Sequence, residues 1–294
     1  MGGELRYTEY FSARAGLTTD VEAILYDGSS AYQRITVLQS PTFGRMLLLD
    51  GAVMVTEWDE FIYHEILVHP ALFLLPEPRR VLVVGGGDGG SVREILRHPS
   101  VESVDVVEVD EEVVKVAQRL LPTVASRLSD PRVRIYYQDG VQFVAEVAEA
   151  PYDAIIVDAP DPVGVAGGLF TQLFYQHCRR ILRRDGILAI QSESPLHPVF
   201  RETLPRVKGM LQTLFQHVAP CWGPIPTYPT GIWTFTVASQ RWHPVRDYDS
   251  TQAWERYRRL AGKLRYYTPE LHTAAFVLPA FIAELLGSAT SEVS

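Results

Sequence analysis

Cysteine is nearly absent from this chain of 294 residues: there are two. Cys178 and Cys221 lie far apart and match no metal-ligand spacing. A disulfide scaffold is thereby excluded, and two reduced thiols in a cytoplasmic protein are the expectation. Also missing is any run near the ~18 apolar residues that a bilayer-spanning helix needs, so no membrane partner is expected. The N-terminal MGGELRYTEYF lacks a basic region followed by an apolar one, which argues against a signal peptide. Arg6 stands where a myristoylation signal requires Ser or Thr. A basic surplus is lacking too, since 35 acidic residues outnumber 27 basic ones for a net charge of −8. Nucleic acid, which calls for a basic face, is excluded as a partner, whereas a cationic substrate suits that balance. Internal repeats and low-complexity blocks are likewise absent. What is there is ordinary for a folded chain: 47% hydrophobic residues, enough for one large core or two unequal ones.

Residues 1–60 read as an N-terminal β-strand domain. Tyr32–Val37 alternates and is rich in β-formers, and Pro41-Thr42-Phe43-Gly44 signals a turn. Asp50-Gly51 separates the apolar runs Arg45–Leu49 and Ala52–Thr56, a strong hairpin cue. Glu57–Leu75 has helical spacing, with Glu65 expected to face outward, until Pro76 and Pro78 end it. From Arg80 the pattern changes. The apolar strands Val81–Val84, Val104–Val109, Val133–Tyr137, Ala154–Val157 and Ile187–Gln191 alternate with the helical stretches Ser91–Arg97, Glu111–Leu120, Gly140–Glu149 and Leu169–Leu182. Strands apolar on both faces predict a mostly parallel sheet covered on both sides. Residues 61–294 are therefore expected to form an α/β, Rossmann-like domain whose ligands bind beyond the carboxyl ends of the strands.

The stretch VVGGGDGGSVREIL places five glycines and Asp88 at the first strand-to-helix junction. Glycine permits positive φ and close approach of the backbone to a ligand; a tight turn alone would also use it. The next strand end decides between these, because Glu108 lies about 20 residues beyond the loop, where an acidic side chain takes a ribose hydroxyl pair. At the third strand end, Asp139-Gly140 offers an acceptor for the exocyclic amine of adenine. A close-approach loop at Gly85, Gly86 and Gly87, a ribose acceptor and an adenine acceptor together make an adenosine site. A pyrophosphate prefers bare N–H groups at a helix N-terminus, and Asp88 would repel it at a cost of roughly several kcal/mol. A sulfonium nucleoside fits better: S-adenosylmethionine or its decarboxylated form.

After the fourth strand the chain reads VDAPDPVGVAGGLF. One aspartate in such a loop would be an ordinary turn residue. Asp158 and Asp161, opposite Asp88, make a negative mouth suited to an amine. A carboxylate there can also take the proton that keeps an alkyl ammonium from attacking. His64 has no partner at metal-ligand spacing, so no metal is expected. His98 and His177 read as surface or helix-end residues. Trp58, Trp222, Trp233 and Trp242 read as core or interface residues, with Trp222 or Trp233 a candidate wall of the amine channel.

At this point the chain resembles the spermidine synthase (polyamine aminopropyltransferase) family, from about Tyr7 to Leu286. The segments that carry the resemblance are LLLDGAVMVTEWDEFIYHE, VLVVGGGDGGSVREILRHPSVESVDVVEVD, DAIIVDAPDPVG, GILAIQSESP, PTYPTGIWTFTVAS and YYTPELHTAAFVLP. The resemblance implies aminopropyl transfer from decarboxylated S-adenosylmethionine, as co-substrate, to a diamine such as putrescine. Spermidine and methylthioadenosine would be the products. It also implies a homodimer or homotetramer with the β-domain at an interface. By motif, Asp158 would be the proton acceptor and Asp88 and Asp161 would hold amine groups. Tyr63, His64 and Tyr228 would line the pocket, Glu108 would bind ribose, and Asp139 with Gly140 adenine. Gln33 would reach the cofactor from the β-domain. In the loop that commonly reads D-S-[ST]-[DE]-P-x-G-P-A, Ala159 and Pro160 replace a hydroxylated pair and Val165 replaces the proline near adenine. Those changes predict altered loop rigidity with activity kept, and Gly167, where a larger polar residue is common, bears on acceptor length. Three other readings stand beside this one: a methyltransferase using intact S-adenosylmethionine, a non-enzymatic polyamine or nucleoside sensor, and, ranked last because of Asp88, a dinucleotide oxidoreductase.

Overall fold

The computed structural model describes residues 5–148 and 151–287. MGGE at the N-terminus and Glu149, the expected end of the helix that opens at Gly140, lie outside the described residues. Two small antiparallel sheets come first. Strands β1 (Leu5–Ser12) and β2 (Ala15–Val21) form a hairpin, and β3 (Ala23–Ser29), β4 (Arg34–Ser40), β5 (Gly44–Leu49) and β6 (Ala52–Thr56) form a four-stranded meander. The β5–β6 turn is the expected one. Asp50 and Gly51 both take positive φ, 49° and 85°, the backbone that a two-residue hairpin of matching twist demands. Nothing in the composition of β1–β3 betrays these strands, because they alternate only loosely and are largely exposed.

The larger body is a seven-stranded sheet in the order β12-β13-β11-β10-β7-β8-β9. Its members are β7 (Arg80–Gly85), β8 (Ser103–Glu108), β9 (Val133–Tyr137), β10 (Tyr152–Asp158), β11 (Leu182–Gln191), β12 (His217–Pro224) and β13 (Ile232–Ser239). The first five run parallel, as their two-sided apolarity requires. β13 and β12 add an antiparallel edge. Helices α1 (Glu60–Leu74), α2 (Gly90–Ile95), α3 (Glu111–Leu120), α4 (Gly140–Glu146), α5 (Gln172–Ile181) and α6 (Thr203–Gln212) cover the sheet, and α7 (Ser250–Tyr257), α8 (Pro269–Ala275) and α9 (Ala280–Leu285) close the C-terminal part. Two separate apolar clusters, one on each face, carry the core.

The chain proceeds from β7 to β8 and β9 in one direction, then crosses back to β10 on the other side of β7. The order therefore reverses between β7 and β10, and ligands of such sheets sit at that switch point.

Two readings from the sequence need correction, and two lose one of their alternatives. Glu65 is buried, at 1% exposure, instead of facing out. Its carboxylate accepts the backbone N–H groups of Arg265, Tyr266 and Tyr267 at 2.7–2.8 Å, tying α1 to the C-terminal segment. His98, read as a surface or helix-end residue, follows the end of α2 but is 1% exposed and packs its Nε2 3.0 Å from Nδ1 of His69. The helix expected over Leu169–Leu182 is a 3-10 segment, Gly164–Phe170, followed by α5. Thr171 separates them by accepting the N–H of Phe174, the act of an N-cap. Trp58, read as core or interface, is 47% exposed and tilted against Phe43, which rules out the core alternative.

Candidate active site

The glycine loop leaves β7 at the switch point and is shaped by what it must pass. Gly85 has φ +80°, and a Cβ there would lie 2.1 Å from the carbonyl oxygen of Asp158. Gly86 donates its N–H to that same oxygen at 2.8 Å, which joins the ends of β7 and β10. At Gly90 a Cβ would fall 2.2 Å from the His64 ring, so α2 can begin there only as glycine.

Asp158, the last residue of β10, is buried. One carboxylate oxygen accepts the Tyr63 hydroxyl at 2.9 Å and the other accepts Ser91 Oγ at 2.7 Å. Asp88 accepts the N–H of Gly90 at 2.7 Å and faces His64 Nε2 at 3.3 Å. His64 Nε2 is also 4.0 Å from Asp158, while its Nδ1 donates to Glu60 at 2.7 Å. Ligand atoms of His64, Asp88 and Asp158 thus lie within 4.8 Å of one another, a spatial proximity that sequence spacing conceals. Both ring nitrogens of His64 are already committed to carboxylates.

These contacts set the charges. Burial raises the Asp158 carboxyl above the usual range, and the charge of Asp88 pushes the same way; His64 and the two hydroxyl donors pull against them. Burial would also raise Asp88, but His64 and the Gly90 N–H outweigh it and hold the group below the carboxylate range. Burial disfavours the cationic form of His64, yet Asp88 and Glu60 overcome it and keep the ring protonated well above its ordinary range.

Around this centre opens a cavity of about 430 Å³. The candidate site residues Gln33, Tyr63, His64, Gly85, Gly86, Gly87, Asp88, Glu108, Asp139, Gly140, Asp158, Asp161, Val165 and Tyr228 line it, whereas Gly167, expected to bear on acceptor length, does not. They fall at distinct ends. Glu108 accepts the N–H groups of Gly87 at 3.2 Å and Asp110 at 3.0 Å, and burial with the Asp110 charge pushes it up to about 7. Asp139 caps α4 by accepting Val141 N–H at 2.8 Å. Gln33 reaches across from the small sheet but donates to Asp110 at 2.9 Å. Val165 is 55% exposed, on the 3-10 segment at the rim. Tyr228 donates to the carbonyl of Met54. Its loop is pinned by Asp59, which accepts Thr227 N–H at 2.8 Å at the start of α1.

A second cavity of about 350 Å³ continues past Asp161 and Tyr228 and is walled by Trp233, as one of the two channel candidates; Trp222 instead donates to the carbonyl of Val277. Besides Asp161, sequence reasoning missed two acidic residues here: Glu9 in the wall, and Glu193, which lines neither cavity but is buried within electrostatic reach of Asp161. Glu9 arrives from β1 and lines the wall. Glu193 lies just beyond β11, with one oxygen held by Gln191 at 2.9 Å and the other buried without a partner. Burial raises Asp161 to about 6, and burial with the charge of Asp161 raises Glu9 to about 7 and Glu193 to about 8. The only signal in the sequence was position: Glu193 follows a parallel strand. Glu9 gave none. The two cavities adjoin at Tyr63, Asp161 and Tyr228, and the buried carboxylate of Asp158, bonded to Tyr63, faces the larger of them.

Comparison with known proteins agrees in family. Residues 60–249 match the spermine/spermidine synthase domain, and residues 6–57 match the spermidine synthase tetramerisation domain. A polyamine aminopropyltransferase of Alkaliphilus oremlandii is 43% identical over 96% of this chain and 98% of its own. One of Clostridioides difficile is 41% identical over 96% of this chain and 99% of its own. Among solved structures, a spermidine synthase in complex with the transition-state analogue AdoDATO superposes with TM-score 0.91 at 37% identity, covering 96% of this chain and 95% of that one. Spermidine synthase from Thermotoga maritima gives 0.89 at 37% identity, covering 96% and 94%. With both family domains matched in sequence and fold, the chain belongs to the spermine/spermidine synthase family of polyamine aminopropyltransferases, which are group-transferring enzymes.

Proposed function

We propose that the enzyme transfers the aminopropyl group of decarboxylated S-adenosylmethionine to putrescine, releasing spermidine and methylthioadenosine. The observation that carries this reading is the pair of adjoining cavities: Asp158 lines the larger one and holds Tyr63, which with Asp161 and Tyr228 lines both. In the larger cavity, the loop Gly85–Gly87 allows close approach, Glu108 takes the ribose hydroxyls, and Asp139 with Gly140 takes adenine. Val165 covers the base, and Gln33 closes over the ligand from the small sheet. A sulfonium then lies beside Asp88. Where the cavities adjoin, Asp161 takes the far ammonium of the acceptor, and Tyr63 and Tyr228 flank its chain.

The acceptor arrives as a dication. Asp158 takes one proton from the near ammonium, and the freed lone pair attacks the methylene carbon attached to sulfur. That carbon–sulfur bond breaks and its electron pair stays on sulfur, giving a neutral thioether. Such a leaving group needs neither an acid nor a metal. The protein supplies proximity and a proton acceptor. Intact S-adenosylmethionine would bring a carboxylate into a site already crowded with them, which speaks against methyl transfer.

The match of residues 6–57 to a tetramerisation domain supports a homo-oligomer, dimer or tetramer, with the small sheets at the interface. The division at residue 60 between a β-domain and a catalytic domain rests on the same break between sheets. No described helix is long and apolar enough to cross a membrane, and the cytoplasm is the compartment proposed. The test is a product assay with decarboxylated S-adenosylmethionine against putrescine, cadaverine, agmatine and spermidine. Fastest methylthioadenosine release with putrescine supports the reading. No release with any acceptor, or methylation from intact S-adenosylmethionine, refutes it.

A further inference from the structure

His64 lies in the catalytic centre, yet its geometry is not that of a substrate ligand. Its Nδ1–H donates to Glu60 at 2.7 Å and its Nε2 faces Asp88 at 3.3 Å, so neither nitrogen is left for an amine. The ring cannot turn or slide. The backbone of Gly90 stands against it so closely that a single methyl there would overlap it. Behind it, Arg93 grips Glu60 with two nitrogens at 2.8 and 2.9 Å, and is itself held by Glu94 at 2.7 Å. Glu60 is therefore aligned by one fixed cation and points at a second group. The groups facing His64 are all anionic or neutral: Glu60 from α1, Asp88 from the glycine loop, Asp158 from β10, and the Tyr63 ring at 5.2 Å. Asp158 in turn faces Tyr63, Ser91, Asp88 and His64.

We propose that Glu60 and Arg93 are positioning residues that hold His64 as a permanent imidazolium, and that this built-in cation keeps Asp158 ionised beside Asp88 so that it can accept the amine's proton. Two carboxylates so close to one another cannot both stay ionised unaided; one takes up a proton. A protonated Asp158 is useless as an acceptor. The imidazolium supplies the missing charge without depending on substrate, so the site is ready before the amine arrives. This inference rests on the aminopropyl-transfer reading above for its kinetic consequence, but its electrostatic content does not.

The experiment has two arms. In the first, nitrogen chemical shifts of His64 are followed by NMR in the substrate-free wild-type protein from pH 6 to 9, with His64→Gln used to assign the signal. Two protonated ring nitrogens up to at least pH 8 are expected, and Glu60→Gln lowers the pH at which the second proton is lost. A ring carrying one proton at pH 7 overturns the proposal whatever the enzyme's reaction proves to be. In the second arm, kcat of His64→Gln is measured against pH with both substrates saturating. Losing a cation about 4 Å from a carboxylate moves its titration by about 1–3 pH units. The acid limb of kcat should therefore move up by at least about one unit, so that at pH values below both limbs kcat falls about tenfold relative to its plateau by comparison with the wild type. A uniform fall with the limb unmoved marks a packing role only and overturns the proposal. An inactive wild type would instead refute the aminopropyl-transfer reading and leave the first arm to decide this one.

Discussion

At the scale of single residues, the cavity is built from carboxyl groups held in costly places. Glu193 is the clearest case. Its backbone has φ +67°, in the left-handed region that non-glycine residues rarely visit, and one of its oxygens is buried without a partner. Strain and unsatisfied polarity together mark groups kept for work and not for stability. Glu193→Gln removes a buried carboxyl and leaves the shape. It should raise the melting temperature of the ligand-free protein and, at pH 8.5 where the Glu193 charge is present to act through its neighbour Asp161, raise KM for the diamine by about a few-fold. Thermal denaturation and initial-rate kinetics on the same variant check both halves, and a variant that gains stability with KM unchanged would remove Glu193 from the account. The candidate residues at strand ends were legible in the sequence because a parallel sheet delivers its loops to one rim. Glu9 was not: it reaches the second cavity from β1, about 150 residues before its electrostatic neighbour Asp161, and no local pattern encodes such a meeting.

At the scale of elements, α1 is the axle of the molecule. Almost all of it is buried, and it supplies Tyr63 and His64 to one side and Glu65 to another. Helical spacing announced the helix, but Glu65 was expected to face outward because charged residues usually do. What overrode this is a segment 200 residues away, whose three backbone N–H groups converge on the carboxylate. Glu65→Gln leaves at least one of those donors facing another donor, at a cost of about 2–3 kcal/mol. The melting temperature should fall by at least about 4 °C, at 2–4 °C per kcal/mol for a protein of this order of size. Retained activity at 25 °C with a lowered melting temperature is expected; an unchanged melting temperature would contradict the clamp. The core parallel strands were plain from their unbroken apolar runs. The antiparallel edge β12–β13 was not, since it interrupts the alternation that identified the others.

At the scale of the whole molecule, the buried carboxyls around the cavities couple stability and binding to pH. Burial raises Asp161 to about 6, Glu9 to about 7 and Glu193 to about 8. The sign follows from linkage. A carboxyl raised in the folded state costs nothing below its unfolded value near 4, and its cost grows as pH rises to the folded value. These groups therefore destabilise the empty protein progressively between about pH 4 and pH 8. Asp88 is shifted the other way and its contribution is lost as pH falls below about 4. A dicationic guest favours the ionised forms of Asp161 and Glu9, so putrescine should bind about fivefold more tightly at pH 8.5 than at pH 6.5. Calorimetry in buffers of different ionisation enthalpy should show protons released at pH 6.5 and few at pH 8.5. Affinity independent of pH would mean that Asp161 and Glu9 do not hold the amine.

The central claim is that Asp158 relieves the acceptor of a proton in the larger cavity. Single-turnover transfer by Asp158→Asn, with decarboxylated S-adenosylmethionine and putrescine both saturating, tests it most directly, because asparagine keeps the shape and cannot accept the proton. The account predicts a rate at least ~100-fold below wild type, the usual scale for losing a general base. A rate within a few-fold of wild type would contradict it.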